Sequence, residues 1–330
     1  MPKILVAALA GLVVGLLFIA SNVTALHDPL PHQAPVAVAG AAPQRLQAVL
    51  ERARPGAFHA VRASDAADAR RLIRGRDAYG ALVVNGGEAS VLTASADGSN
   101  AATTIQMALT QAAKGVGVTG TPMPRDVVPL QGGDPVGVSL QQVVLGSILG
   151  GFMMGVLSVL LALNEPLRVR VPVRVAFGAA FGAGAALILD PLTGVLTGHF
   201  VWIWMWLGVA AWVISATVAA LVDAFGQPGV MVASLLMLVV GNPSAAANVP
   251  TEFLPGFYRT LGPYLPPNAA ATGLLGTTYF DAGVLRPAIV LGTWGLMALV
   301  VIVTWERARG RRQPLAYAAA GAAADRNDGS

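Results

Sequence analysis

Residues 140–163 read LQQVVLGSILGGFMMGVLSVLLAL, inside a stretch from Asp134 to Glu165 whose interior holds no Asp, Glu, Lys or Arg. As a helix this segment is about 36 Å long, enough to cross the roughly 30 Å hydrocarbon layer of a bilayer. The stretches from Asp190 to Asp223 and from Asp223 to Glu252 are equally free of these charges. Over the whole chain 55% of residues are hydrophobic and 12% are charged, about half the charged share of a soluble domain. The chain therefore reads as an α-helical membrane protein.

Five more apolar runs lie outward from residues 140–163, giving six expected transmembrane helices. They are Ile4 to Ala20, Val175 to Leu192, Val201 to Val222 with Trp202, Trp204 and Trp206 as an interfacial belt, Phe225 to Val240, and Ala288 to Thr304. The first run is longer than the apolar part of a signal peptide and has one cation before it, so residues 1–25 are expected to be an uncleaved anchor. Residues 26–139 have a soluble composition. They alternate expected strands (Pro35–Ala39, Ala57–Arg62, Tyr79–Val84, Ala89–Ala94, Asp126–Leu130) with helices (Pro43–Arg54, Asp65–Arg74 capped by Ser64, Ala101–Lys114). This small α/β domain, inserted between helices 1 and 2, is large enough to hold its own core, with Tyr79–Val84 as its central strand. Residues 140–305 form the five-helix membrane domain, and 306–330 an expected disordered cytoplasmic tail.

One orientation satisfies every basic cluster. Lys3, the loop carrying Arg168, Arg170 and Arg174, and the run Arg307 to Arg312 fall on the cytoplasmic side when residues 26–139 lie outside the plasma membrane, which puts both termini in the cytoplasm. Residues 242–286 are apolar yet interrupted by six prolines, from Pro243 to Pro267, so they are expected to form short helices at, or dipping into, the outer face.

Several chemistries are excluded. Without cysteine there is no disulfide, thiolate metal site or cysteine nucleophile, and the only lysines, Lys3 and Lys114, stand in no phosphate-binding loop. The basic pI near 9.8 reflects topology, because the net charge is only +4, and no nucleic-acid partner is expected. Asp190 and Asp223 are the only pair that could imitate an intramembrane protease, but they fall at opposite ends of their spans and read as interfacial caps. His27, Asp28 and His32 sit in a Pro-rich linker, and His199 beside the Trp202 belt. Neither suggests a metal or catalytic role, so no enzyme activity and no cofactor is expected. The glycine pairs four residues apart in the first three spans read first as helix packing within one subunit and second as a homodimer seam.

Two stretches carry a family resemblance. Asp65 to Val84 has the pattern D-x-x-D-A-R-x-x-I-x-x-R-x-x-Y-G-A-L-V-V, followed by Leu92–Ala96, and residues 250–266 read PTEFLPGFYRTLGPYLP. With one span, a large outer domain and five further spans, this resembles the ABC-2-type transporter permeases, in particular their YhgE/Pip-like branch. The resemblance implies the permease subunit of an export system for an apolar or amphipathic substrate, with ATP hydrolysed by a separate chain. It implies a coupling loop at Asn164, Glu165, Arg168, Arg170 and Arg174, and an outer gate or substrate path at Asn242, Pro243, Glu252, Pro255, Gly256 and Arg259. The alternative is a non-transporting envelope protein, phage-receptor-like or a secretion accessory, whose outer domain is a binding module.

Overall fold

The computed structural model describes residues 3–162 and 165–327. A long apolar helix, α1 (Lys3–Leu26), leads into an α/β unit: β1 (Ala34–Ala39), α2 (Pro43–Ala53), β2 (Phe58–Arg62), α3 (Ala66–Arg74), β3 (Gly80–Asn85), β4 (Glu88–Thr93), α4 (Ser99–Gly115) and β5 (Met123–Asp126). The five strands lie in the order β2-β1-β3-β4-β5, so β3 is central, as its continuous apolar run from Ala81 to Val84 requires. Only the β3–β4 pair is antiparallel, closed through Asn85–Glu88 over the Gly86-Gly87 turn.

Two local expectations change. The cap of α3 is Asp65, not Ser64: Asp65 accepts from the amides of Ala67 and Asp68 at 2.8 Å, and Asp68 reaches back to the Ser64 amide. The last strand ends at Asp126 rather than starting there. The Asp126 carboxylate takes the amides of Ser95 and Val128, turning the chain away, and Pro129 has no N–H for a ladder.

The membrane part comprises α5 (Ser139–Leu161), α6 (Leu167–Leu187), α7 (Phe200–Phe225), α8 (Gln227–Ser234), α9 (Gly256–Leu261), α10 (Pro266–Thr278) and α11 (Leu285–Asn327). Among the described residues five helices are long and apolar enough to cross a membrane, within α1, α5, α6 with its π-helical extension to Leu192, α7 and α11. This is a helical membrane protein with a small sheet. The run expected as a sixth span gives a shorter apolar helix, Gln227–Val240, whose last turn is π-helical. Gly226 at φ 65° breaks the chain after α7, and Asn242-Pro243 ends the run. The tail expected to lack structure is helical as far as Asn327, in keeping with its alanine content.

Helix α7 is the hub. It packs against α5, α6, α10 and α11, and 78% of its most apolar window is buried, against 11–33% for the other four membrane-length helices. The glycines explain the close approach on two sides. A Cβ on Gly182 would stand 2.3 Å from the Trp204 carbonyl, and one on Gly155 2.7 Å from that of Ser215. The pairs Gly151/Gly155 of α5 and Gly178/Gly182 of α6 thus serve packing within the subunit, while Gly146 of α5 and Gly11 and Gly15 of α1 have nothing within 4 Å. Trp202 and Trp204 are exposed as an aromatic belt requires, but Trp206 is buried beneath Gly273 of α10.

The sheet unit does not close its cores alone. One face is completed by Ala246, Val249, Phe253 and Leu254, the other by Leu275 and Phe280, all from the irregular segment before α11.

Candidate functional site

The segment from Gly241 to Val284 is held between sheet and bundle by polar contacts that sequence alone did not reveal. Buried Asn242 donates to Asn22 of α1 at 2.6 Å and accepts from Gln141 of α5 at 3.2 Å, tying three elements together. Ser21 donates to the Val239 carbonyl and lies 2.7 Å from the Tyr258 hydroxyl. Pro243 opens a buried single turn, and the chain then reverses at Ala246, whose φ of 52° is uncommon for a residue with a Cβ. Irregular backbone beside a membrane needs such protein partners, because hydrocarbon supplies none.

Glu252 lies in a short turn, Thr251–Phe253, and its carboxylate accepts the Tyr79 hydroxyl proton at 2.5 Å. Its backbone carbonyl also takes the His32 amide at 2.9 Å. Pro255 then ends the turn, and α9 begins at Gly256, so Glu252 and Arg259 belong to different elements. They form no ion pair among the described residues. Asn242, Pro243 and Glu252 are gathered at the junction, whereas Gly256 is exposed and Arg259 only partly buried.

Glu252 and Tyr79 line a cleft of about 270 Å³ together with Arg76, Asn268, Thr272 and Arg286. Arg76 and Tyr79 come from the first motif, Glu252 from the second, so the two stretches meet here. Arg76 sits at φ 59°, its Nη2 2.7 Å from Asp97 and its guanidinium 5.5 Å from the centre of the Phe280 ring, and its Nε is buried without a partner. Burial first, then the carboxylates of Asp97 and Glu252, push the Tyr79 phenol well above its ordinary range. Tyr79 therefore remains a donor to Glu252 at neutral and mildly alkaline pH. Arg286 lies over the Tyr264 ring at 5.7 Å. In the sequence, residue 286 stood only as the end of the proline-broken segment.

At the other end of the bundle the expected loop is largely helix. Asn164 lies outside the described residues, Glu165 and Arg168 are exposed, and α6 already begins at Leu167. Arg170 and Arg174 point inward. Arg170 donates through Nη2 to both carboxylate oxygens of Asp223, at 2.9 and 3.2 Å, and Arg174 donates through Nε and Nη2 to Ser158 at 3.1 and 2.9 Å. Asp223 is thus a buried ion-pair partner rather than an interfacial cap. Asp190 is a cap: its two oxygens accept the amides of Gly198 and Phe200, the latter opening α7. Some 23 residues of helix separate Phe200 from Asp223, roughly 35 Å, too far for paired catalytic carboxylates. Comparison with family models, with curated proteins and with solved structures finds no match to this chain, so its function is argued from the cleft and the two ends of the bundle.

Proposed function

We propose that the chain is the permease subunit of an ABC-2-like export system for an apolar or amphipathic substrate, working as a homodimer with a separate ATP-hydrolysing chain. The observation that carries this reading is the broken segment, which lines a polar cleft between the sheet unit and α11 where other membrane proteins would place a regular helix. In this reading the sheet unit faces outward from the plasma membrane and both termini are cytoplasmic. The two GxxxG glycines of α1 are left free for a second copy.

One observation favours the second reading, a non-transporting envelope protein whose sheet unit is a binding module. Two of the three arginines expected to dock an ATPase are consumed inside the bundle, leaving Arg168 and Glu165 exposed. Purification of the full chain from its native membranes in mild detergent decides between them. An ATP-hydrolysing subunit should co-purify, and deleting the gene for that subunit should stop export of the same compound whose export is lost without this chain. Purification as a homo-oligomer with no nucleotide hydrolysis would reject the transport reading.

Orientation has its own test, made simple by the absence of cysteine. A cysteine replacing exposed Glu88 should react with a membrane-impermeant maleimide in intact cells, and one replacing exposed Arg168 only after lysis. The opposite pattern would invert the topology.

A further inference from the structure

The cleft lies at a definable height in the bilayer. Arg286 is the second residue of α11, and α11 enters its membrane-length stretch at Leu285, so the cleft opens at the boundary of headgroups and hydrocarbon. Directly along α11, Leu285, Ile289 and Leu296 share one helix face and are 72%, 57% and 64% exposed, an apolar track running from the mouth of the cleft into the hydrocarbon.

The charges inside the cleft are of both signs and are incompletely spent. Arg76 is neutralised by Asp97 yet keeps a buried Nε with no acceptor. Among the described residues Glu252 takes one neutral hydrogen bond from Tyr79 and forms no ion pair, and Arg286 has an aromatic face but no carboxylate. A simple anion here would be opposed by Glu252, and a simple cation by Arg286. A molecule carrying both a phosphate and an amine satisfies the two groups together, which matters because a charge left unmatched in a partly dehydrated cleft is costly.

We propose that this cleft binds the headgroup of a zwitterionic phospholipid. Its phosphate lies toward the exposed Arg286, its amine lies against Glu252, and its acyl chains follow the Leu285–Ile289–Leu296 face. Guanidinium suits the phosphate, since its planar donors can engage two oxygens at once. Calling this lipid the exported cargo rests on the transport reading above; its binding does not.

The test uses the full chain, delipidated in detergent, and calorimetric titration with four probes: dihexanoyl phosphatidylethanolamine, dihexanoyl phosphatidylglycerol, phosphoethanolamine and inorganic phosphate. The phosphatidylethanolamine should bind more tightly than the other three. Arg286→Gln and Glu252→Gln should each weaken it by about tenfold, the loss of one charge-assisted contact. Arg286→Lys should restore much of the affinity, and exposed Arg286 can be changed without touching a core. Phosphatidylglycerol binding as tightly would overturn the zwitterion assignment. Phosphoethanolamine binding as tightly would make the site one for a soluble headgroup rather than a lipid, and unchanged affinity in both Gln variants would remove the cleft from binding. Intact lipid binding in a chain that brings down no ATPase would refute transport alone.

Discussion

Asp223→Ala should cost about 3–5 kcal/mol of stability, because it strands Arg170 in the bundle without its carboxylate. Both partners are almost wholly enclosed, with side chains 5% and 2% exposed, and buried Arg174 one turn along α6 adds a second positive charge to the same region. In detergent the midpoint of thermal aggregation should drop by on the order of 10 °C. Replacing the pair together, Arg170→Met with Asp223→Leu, should recover more than half of the loss, since a buried ion pair can often be exchanged for apolar packing at little net cost. Equal stability of the single variant and the native chain would show that water reaches Asp223 and that the pair is not a structural tie.

Gly182→Val should be at least as damaging. The added Cβ would meet the Trp204 carbonyl at 2.3 Å and the Gly208 backbone at 2.8 Å, and because every atom it meets is α7 backbone there is no flexible side chain to give way. Forcing α6 from α7 sacrifices packing along the most buried helix, so a penalty of about 3 kcal/mol or more is expected. In size-exclusion chromatography of detergent extracts the variant should elute as aggregate. Gly11→Val and Gly15→Val, with nothing within 4 Å of either position, should elute as the native chain does within one subunit and separate only if a dimer is held at α1. A well-folded Gly182→Val protein would mean that the α6–α7 spacing is looser than described.

The contrast between these glycines shows what a sequence can and cannot disclose. Spacing of four residues is identical in α1, α5 and α6, but only tertiary structure says which pairs meet a neighbour. The same limit applies to charge. Arg168, Arg170 and Arg174 all looked like one positive loop, because the positive-inside pattern counts cations without asking which way they point; two of them turn inward to Asp223 and Ser158. Apolar runs did reveal the five membrane-length helices and the central place of the Tyr79–Val84 strand, since a long uncharged run and a strand apolar on both faces are written in local composition. The Tyr79–Glu252 contact joins residues 173 positions apart and was illegible, although both residues lay inside stretches already singled out as motifs. Asp190 was read correctly as a cap because capping is a local matter, decided within ten residues of the chain.

The shared cores of the sheet unit and the later segment set an order of events during synthesis. Leucine and phenylalanine side chains facing Phe253, Leu254, Leu275 and Phe280 are made long before those partners exist. At about 5–20 residues per second the stretch from Ser139 to Phe280 takes roughly 7 to 28 s to emerge from the ribosome, and through that interval the patches of each sheet face that α2, α3 and α4 leave uncovered stay open. The sheet unit must therefore keep those patches from other chains, or delay its collapse until its second half has been made. Termination before Phe280 would leave an inserted but sticky product, marked for proteolysis rather than for assembly.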